Sequence, residues 1–461
     1  MRMTQILKFF CIPLFFIAWI SNTFAANMRP YPPYPYVDLH AHLFMKEGMG
    51  FLFCGGFHGP LHANSWDDKL SSQANPASLE ASKLGVVVVS LYATRPLTPD
   101  PQKAIRKQIQ MAEKFVARHP SWVLAKNPTQ ALQAYQSGKR IMILSLEGAS
   151  DILETEEDLK EFIDQRGIRI VTFAHLLEDH YSGTALLKGM KGLGSSPISW
   201  IRSHVIKPHY CEGVNVSDSG LKPRGLALAE ALLARKVWID LTHASDHTQE
   251  ALIPLMQQAG QPLLYTHTVL RKYHRAERAL ADWQLRLVKK SGGIIGLMPV
   301  EDMLSGTRTS NRKCGGVFSL AKQYNEVANV VGPQSTLIGS DFNGAVVHLK
   351  PPNTGEFAGI FTAGERTGSA GDKLGRKSDT TQCKTSTSLD GPAGLWNIGQ
   401  TPDLWMALQN VGANVQPSIE SGALQFLKAW QRAWDGNPIN VEITECVQPR
   451  PFFDPHEFDF F

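Results

Sequence analysis

The sequence predicts an α/β fold, a (β/α)8 TIM barrel with long loop insertions, on the basis of three observations. Eight short apolar runs, rich in β-branched residues, are bounded by glycine, proline or charged residues. Segments with helical periodicity lie between most of these runs. Six of the eight runs end in a histidine, aspartate or glutamate, and the C-terminal ends of the strands carry the active site in such barrels. An open, doubly wound sheet is the alternative arrangement of the same units.

The eight runs are apolar almost throughout, which is typical of strands buried on both faces of a parallel sheet. In chain order, the predicted strands are Tyr36–His42, Leu84–Ala93, Arg140–Gly148, Arg169–His175, Val237–His243, Pro262–His267, Gly292–Pro299 and Ser335–Phe342. The predicted helices are Pro101–Arg118, Glu156–Arg166, Gly225–Arg235, Thr248–Gln258, Trp283–Lys290 and Phe318–Val331. Because strands alternate with helices, we expect parallel βα units that close into one barrel.

Three segments are longer than the loops of a minimal barrel. They are Phe44–Pro76, an insertion at about 181–223, and an insertion at about 348–403. The last of these has little apolar content between Gly364 and Asp390. The composition of this last insertion predicts a mobile loop excursion rather than a further domain.

The end of the chain contains an amphipathic segment, Ser418–Trp434. Its periodicity predicts a helix, which we expect to pack on the exterior of the barrel. The sequence therefore predicts one (β/α)8 domain at 27–448, followed by an aromatic and acidic tail at 449–461.

The N-terminal residues 1–26 have the three parts of a signal peptide. Arg2 and Lys8 are basic, Phe9–Ile20 is apolar, and Thr23–Ala25 offers small residues for cleavage. A short N-terminal membrane anchor is the alternative, although the apolar run is short for a bilayer. We expect an exported protein, periplasmic or secreted, with no stable membrane insertion after cleavage.

The net charge and the cysteines argue against two classes of function, nucleic-acid binding and a cysteine zinc site. The formal net charge is +4, and the lysines and arginines form no block, so nothing supports nucleic-acid binding. No CxxC pair is present, which argues against a cysteine zinc site. Five cysteines lie beyond the predicted signal peptide: Cys54, Cys211, Cys314, Cys383 and Cys446. Export permits disulfides among them, and the odd number leaves at least one cysteine free or in an intermolecular bond. The sequence leaves the pairing open.

Side chains that bind metals stand at the predicted C-terminal ends of six strands: His40, His42, Glu147, His175, His243, His267 and Asp341. Residues two apart on a strand face the same side, so His40 and His42 can hold one divalent cation. His243 and His267, from neighbouring strands, can hold a second. Glu147 emerges between the two pairs and could bridge the cations. Imidazole suits zinc, with iron, nickel and cobalt also tolerated.

Each of these residues has a simpler explanation when taken alone. A His-x-His pair is often structural, and a lone histidine is often a core or loop residue. Asp341 could belong to a turn, because Asn343-Gly344 is a strong turn dipeptide. The coincidence of all of them at one edge of the barrel favours a metal site.

Several motifs, in order and spacing, resemble the membrane (renal) dipeptidase family of the amidohydrolase superfamily. They are Ser145–Gly148 (SLEG), Arg169–His175 (RIVTFAH), Ile239–Ser245 (IDLTHAS), Thr266–Thr268 (THT) and Gly339–Gly344 (GSDFNG). The resemblance runs from about Tyr36 to Trp434, outside the two long insertions. It implies a barrel of the metal-dependent amidohydrolase type that holds two divalent metal ions, expected to be zinc.

The resemblance also implies a role for individual residues. Glu147 looks like the bridging carboxylate, with His243 and His267 on one metal and His40 on the other. His175 looks like the histidine that stabilises the tetrahedral oxyanion. Two further roles are implied: Arg278 grips the substrate's terminal carboxylate, and Asp341 is the general acid/base. A shift of register to Arg275 is the alternative for the arginine.

One departure from the family concerns His42. The family usually has aspartate at this position, whereas His-x-His resembles the wider superfamily, which includes deaminases, phosphotriesterases and lactonases. A neutral imidazole in place of a carboxylate makes the site more positive by about one charge. Phosphotriesterase relatives generally bridge their metals with a carbamylated lysine, and no predicted strand here ends in lysine, which favours the dipeptidase branch.

Three hypotheses for the function follow. The first is zinc-dependent hydrolysis of a dipeptide or similar small amide by a hydroxide shared between the metals. The second keeps the metals and changes the substrate to a lactone, a phosphoester or another amide. The third is an inactive exported binding protein that retains a metal. The sequence leaves the oligomeric state open, a homodimer included.

Overall fold

Parallel strands close into a barrel at the centre of the protein. The structure is a computed structural model that describes residues 33–49, 56–57, 59, 61, 72–95, 97–188, 197–206, 208–304, 316–351, 384–440, 446 and 448–449. Within these residues the strands are β1 (Tyr36–Ala41), β2 (Leu84–Leu91), β3 (Trp122–Leu124), β4 (Arg140–Glu147), β5 (Ile168–Thr172), β6 (His209–Cys211), β7 (Val214–Val216), β8 (Trp238–Asp240), β9 (Leu264–Thr268), β10 (Ile294–Leu297), β11 (Thr336–Ile338) and β12 (Gln448–Pro449).

The barrel contains the eight predicted strands in the order β1, β2, β4, β5, β8, β9, β10 and β11. Every neighbouring pair is parallel, and β11 pairs with β1 to close the ring. Every residue of β2 and β4 is buried, as expected for strands covered on both faces. The prediction of a closed (β/α)8 barrel is confirmed, and the open sheet is excluded.

Thirteen helices lie along the described part of the chain, most of them between strands of the barrel. They are α1 (Met45–Met49), α2 (Pro76–Ala81), α3 (Pro101–Arg118), α4 (Pro128–Gln136), α5 (Glu156–Asp158, continued by a π-helical segment Leu159–Gln165), α6 (Pro197–Ile201, continued by a π-helical segment Arg202–Ile206), α7 (Pro223–Ala234), α8 (Asp246–Gln258), α9 (Asp282–Ser291), α10 (Glu301–Leu304), α11 (Gly316–Val331), α12 (Thr401–Asn410) and α13 (Gln416–Asp435). Short 3-10 turns cover Pro333–Ser335, Ser388–Asp390 and Ile398–Gln400. The six predicted helices are confirmed to within a few residues.

Local capping explains where several helices begin. Asp100 accepts a hydrogen bond from the amide of Lys103, and Pro101 occupies the first turn of α3. Ser245 caps α8 in the same way through the amide of Thr248. A side-chain oxygen at the cap satisfies an amide that the helix leaves unpaired, and proline is tolerated there because it lacks that amide.

The helix α13 covers the N-terminal end of the barrel. Phe426 and Trp430 pack in one apolar cluster with Val37 of β1, Trp238 of β8 and Leu337 of β11. The strands β1 and β8 lie on opposite sides of the ring, so one helix can contact both only by crossing the open end.

Hydrogen bonds to the segments that precede strands agree with this position. Arg432 donates to the carbonyl of Gly292, just before β10, over 2.6 Å. Lys236, just before β8, donates to the carbonyl of Trp434 over 2.7 Å. The predicted helix is therefore confirmed, but its predicted place on the barrel exterior is wrong. Amphipathicity identifies the buried face of a helix without identifying what buries it.

The insertion at about 181–223 carries an antiparallel hairpin, β6 and β7. A disulfide joins Cys211 of β6 to Cys446, and β12 pairs with β6 next to it. The other three cysteines beyond the predicted signal peptide lie outside the described residues, as do 352–383 of the second insertion, the signal peptide at 1–26 and nearly all of the tail at 449–461. Among the described helices, none has the length and hydropathy needed to cross a membrane.

Candidate metal centre

The structure brings together the seven ionisable side chains that the sequence places at strand ends. The shared location is the C-terminal end of the barrel, and the contributors are His40 in β1, His42 just after β1, Glu147 at the end of β4, His175 after β5, His243 after β8, His267 in β9 and Asp341 after β11. Parallel strands end at the same edge of a barrel, which is why residues far apart in the chain meet here.

Glu147 lies at the middle of this cluster. Its Oε1 atom is 3.2 Å from Nε2 of His243, 3.4 Å from Nε2 of His267 and 3.5 Å from Nε2 of His40. Its Oε2 atom is 3.1 Å from Nε2 of His42. The two oxygens therefore face different histidines, as a bridging carboxylate would.

The surroundings of the Glu147 carboxylate favour a cation beside it. Only 1% of the side chain is exposed, and neither oxygen has a hydrogen-bond partner among the described residues. Burial raises the pKa of Glu147. The neighbouring His175 and His40 lower it by more than this, so the net pKa lies well below the ordinary value. A buried, ionised carboxylate without hydrogen bonds is costly unless a cation accompanies it.

The pKa values of these histidines are shifted in opposite directions. Burial lowers the pKa of His42, but the carboxylates of Glu147 and Asp341, both within 3.3 Å of its Nε2, raise it to about 10. Burial depresses the pKa of His243 and of His267 strongly, and Arg278 adds to both shifts. His243 and His267 are thus held as neutral imidazoles, the form that binds a metal.

Three overlapping groups of side chains have donor atoms within 4.8 Å of one another, close enough to share a cation. They are His40, His42 and Asp341; His40, Glu147 and His267; and Glu147, His175 and His243. The predicted pairing of His40 with His42 is present, with their Nε2 atoms 3.2 Å apart, and so is that of His243 with His267, at 3.0 Å. Imidazole and carboxylate ligands together fit a divalent metal such as zinc.

Unusual backbone conformations aim two of these side chains. His243 has φ 67° and Asp341 has φ 61°, in the left-handed region that non-glycine residues seldom adopt. The carbonyl of His243 accepts a hydrogen bond from the amide of Ala185 over 2.7 Å, and the amide of Asp341 donates to the carbonyl of His40 over 2.8 Å. Such conformations persist where the surroundings enforce them, and they are common at functional sites.

The turn that follows Asp341 is present, and the Asp341 carboxylate still lies beside the other side chains of the centre. The amide of Gly344 donates to the carbonyl of Asp341 over 2.9 Å, so the turn predicted from Asn343-Gly344 exists. A Cβ atom on Gly344 would lie 1.9 Å from Oδ1 of Asp341, so only glycine fits beside this carboxylate. Oδ1 of Asp341 itself lies 3.3 Å from Nε2 of His42.

His175 lies at the rim of the centre, with 22% of its side chain exposed. Its Nε2 atom is 3.8 Å from Oε2 of Glu147. Its ring contacts Tyr92, which follows β2, with ring centroids 4.6 Å apart. Tyr92 is not among the residues predicted for the site, although it stands near the end of the predicted strand Leu84–Ala93.

Arg278, and not Arg275, reaches the centre. Its side chain is buried, its Nε donates to Nδ1 of His243 over 3.1 Å, and one terminal nitrogen donates to the carbonyl of His267 over 3.0 Å. Arg275 instead donates to the carbonyl of Gly213 in the hairpin loop, over 2.8 Å. The alternative register is therefore not the one adopted.

Comparison with known proteins identifies relatives of this architecture. Residues 32–353 match the family described as membrane dipeptidase, peptidase family M19. A protein named dipeptidase ataJ, from Aspergillus terreus, is 23% identical over 304 residues, which cover 64% of this chain and 71% of that protein.

Two solved structures share the fold. A metallopeptidase from Rhodobacter sphaeroides, bound to a phosphinate mimic of the dipeptide L-Ala-D-Ala, superimposes with a TM-score of 0.58 at 13% identity over 87% of this chain and 99% of that one. The probable dipeptidase PvdM from Pseudomonas aeruginosa gives a TM-score of 0.54 at 14% identity over 79% and 90% of the two chains. The match along residues 32–353, on a barrel with these ligands at its C-terminal end, establishes that the chain belongs to the membrane dipeptidase family M19 of metal-dependent hydrolases.

Proposed function

We propose that the protein is a zinc-dependent dipeptidase that hydrolyses the single amide bond of a dipeptide. The observation that carries this proposal is the buried Glu147 carboxylate, which lies among four imidazole nitrogens at 3.1–3.5 Å. Membership of the family supports the substrate class. So do the dipeptidase name of the relative from Aspergillus terreus and the dipeptide mimic in the related metallopeptidase.

Five ligands would hold two cations in this proposal: His40, His42, Glu147, His243 and His267. When bound, a pair of divalent metals polarises the scissile carbonyl and lowers the pKa of the attacking water. The orphaned oxygens of Glu147 and the neutral state of His267 support this assignment. His42 adds an imidazole where the family usually has a carboxylate, and it retains contact with Glu147.

Two side chains would move or stabilise charge during the reaction. Asp341 borders the centre with 10% of its side chain exposed, so it can take a proton from the attacking water and pass it to the leaving amine. His175, at the rim, can donate a hydrogen bond from its ring to the oxyanion that develops on the carbonyl oxygen.

Arg278 would recognise the free carboxylate of the dipeptide. Its guanidinium lies against His243, beside the centre. A planar guanidinium pairs with a carboxylate through two parallel hydrogen bonds. This contact would select short substrates, because the carboxylate must end close to the scissile bond.

The test combines metal analysis with matched substrates. We expect the purified protein to contain zinc, to lose dipeptide hydrolysis on chelation and to regain it with added zinc. Amidation of the dipeptide's C-terminus should lower kcat/KM by about 100-fold, since about 2.7 kcal/mol of charged hydrogen bonding is lost. Full activity after complete chelation, or equal turnover of blocked dipeptides, would contradict the proposal. Turnover of lactones or phosphoesters alone would favour the second hypothesis instead.

Substitution of Asp341 tests the proton-transfer role. Asp341→Asn should lower kcat for dipeptides by about 10³-fold, because the amide cannot accept the proton, while the zinc content stays near that of the wild type. Asp151→Asn is a matched control, since Asp151 pairs with the exposed Arg95. An Asp341→Asn protein with unchanged kcat would remove Asp341 from the mechanism.

We also propose an exported location, periplasmic or secreted, which rests on the predicted signal peptide. A fusion of residues 1–26 to a reporter enzyme that is active only after export tests it. The homodimer stays a prediction.

A further inference from the structure

The hydroxyl of Thr266 lies between two of the histidines in the centre, on the side away from Glu147. Its Oγ1 atom is 3.0 Å from Nδ1 of His267 and 3.3 Å from Nδ1 of His40. It also donates to Oδ2 of Asp240 over 2.6 Å. Thr266 is fully buried, so these neighbours decide its hydrogen bonding.

The direction of these hydrogen bonds follows from the number of hydrogens available. A hydroxyl carries one hydrogen and two lone pairs. The hydrogen of Thr266 goes to Asp240, whose carboxylate also accepts from Thr172 over 2.8 Å and from Thr242 over 2.7 Å. The two lone pairs can only accept, so each histidine must present a hydrogen on Nδ1.

This arrangement fixes which nitrogen of each ring is free. A neutral imidazole has one hydrogen, and with that hydrogen on Nδ1 the lone pair is on Nε2. The Nε2 atoms of His40 and His267 are the atoms that face Oε1 of Glu147, at 3.5 and 3.4 Å. Both rings therefore present their lone pairs on the side of Glu147.

We propose that Thr266, supported by Asp240, is a positioning residue that fixes the metal-binding tautomer of His40 and of His267 together. The inference rests on the proposed function, in which these two histidines serve different metals. One hydroxyl would thus prepare a ligand of each metal and couple the two binding sites. His42 contrasts with this pair, because its buried Nδ1 has no hydrogen-bond partner among the described residues.

The chain offers a matched pair of variants. Thr266→Val keeps the shape of the side chain and removes the hydroxyl. Thr172→Val removes a hydroxyl that donates to the same oxygen, Oδ2 of Asp240, and that makes no hydrogen bond to an imidazole among the described residues. Both threonines are fully buried, so the two variants lose a comparable hydrogen bond and differ in the histidine contacts.

Zinc affinity, measured by competition with a chromophoric chelator, separates the two variants. Thr266→Val should weaken both zinc sites by about 10- to 100-fold, the usual effect of removing the partner of a metal-binding histidine. Thr172→Val should change either affinity by less than about threefold, and Thr266→Ser should restore both affinities. Equal affinities in the two valine variants would overturn the proposal, and so would loss at one zinc site alone.

Nitrogen NMR of histidine-labelled protein tests the tautomer without zinc. In chelated wild-type protein, His40 and His267 should each carry the hydrogen on Nδ1, and Thr266→Val should mix the two tautomers. A wild-type protein that binds no zinc would contradict the proposed function, whereas unchanged tautomers in Thr266→Val would contradict the role of Thr266. Melting curves identify any variant that fails to fold, and Thr266→Ser then serves as the test of the hydroxyl.

Discussion

The two ends of the barrel bury different kinds of side chain, apolar at the N-terminal end and ionisable at the C-terminal end. At the N-terminal end, α13 packs Phe426 and Trp430 into an apolar cluster with strand residues such as Trp238. At the C-terminal end, the strands deliver ionisable side chains, and Glu147 lies buried there without a hydrogen-bond partner among the described residues. Burial of apolar surface stabilises the N-terminal end, whereas burial of charge at the C-terminal end costs free energy.

The difference shows how stability and function are separated along the same strands. The strained backbone at His243 and Asp341, which costs roughly 1–3 kcal/mol per residue, lies at the C-terminal end. Apolar contacts that can offset part of this cost lie at the N-terminal end, in the cluster that contains Phe426 and Trp430. We therefore expect substitutions at the two ends to change different measured quantities.

The largest effect is expected at Glu147. Glu147→Gln replaces a charged oxygen of the proposed bridge by an amide nitrogen that cannot bind a metal, so kcat/KM should fall on the order of 10⁴-fold, about 5.5 kcal/mol of transition-state stabilisation. The melting temperature of the chelated protein should stay within about 2 °C of the wild type or rise, since a buried charge is removed.

Glu154→Gln provides the control for Glu147. Glu154 also lies beside a histidine, with Oε2 at 3.1 Å from Nε2 of His180, but this pair is partly exposed. The control should retain both activity and melting temperature. A Glu147→Gln protein that unfolds in the presence of chelator would show that Glu147 is part of the stabilising structure, and the comparison between the ends would fail.

At Trp430 we expect a smaller effect, which changes the stability of the fold and not the activity. Its side chain is fully buried, so Trp430→Ala should lower the free energy of unfolding by about 3–5 kcal/mol through lost burial and the cavity that remains. The kcat of the folded fraction should be unchanged. Denaturant unfolding and single-turnover assays measure the two quantities.

Trp434→Ala, on the same helix, is the matched control for Trp430. Trp434 is half-buried and contacts Arg169 and Lys236 through its ring. The expected loss is about 1 kcal/mol, since its ring is only partly removed from water. Equal losses in the two tryptophan variants would show that α13 does not close the barrel through its buried face.

The sequence predicted the C-terminal end of the barrel better than the N-terminal end. Strand ends are local features, and Glu147, His243 and His267 each follow an apolar run that identifies the edge where they meet. What α13 covers is decided by long-range packing, so its amphipathic pattern predicted the helix and not its position. The pairing of Cys211 with Cys446 is likewise set by the fold, over a separation of 235 residues.

Short elements and contacts between strands also leave no clear pattern in the sequence. The strand β3 has three residues and α4 has nine, too few for a clear periodic signal. Tyr92 contacts the ring of His175, and the hydroxyl of Thr266 contacts that of His40. Both contacts join different strands, so the pattern of a single strand does not contain them. The choice between Arg275 and Arg278 depended on the loop after β9, where the amide of Leu280 returns to the carbonyl of Val269 over 2.8 Å.

The smallest of the expected effects is at Arg278, and it asks whether the C-terminal end discriminates between substrates. Arg278→Lys keeps the positive charge but loses the planar fork, so KM for dipeptides should rise about 10- to 30-fold with little change in kcat. Arg275→Lys, at an exposed hydrogen bond to Gly213, should leave KM unchanged. With a C-terminally amidated dipeptide, Arg278→Lys and the wild type should have nearly equal kcat/KM, because the group that Arg278 binds is already absent. If the variant loses activity equally towards free and amidated dipeptides, Arg278 instead holds His243 in place, and the discrimination must come from another residue.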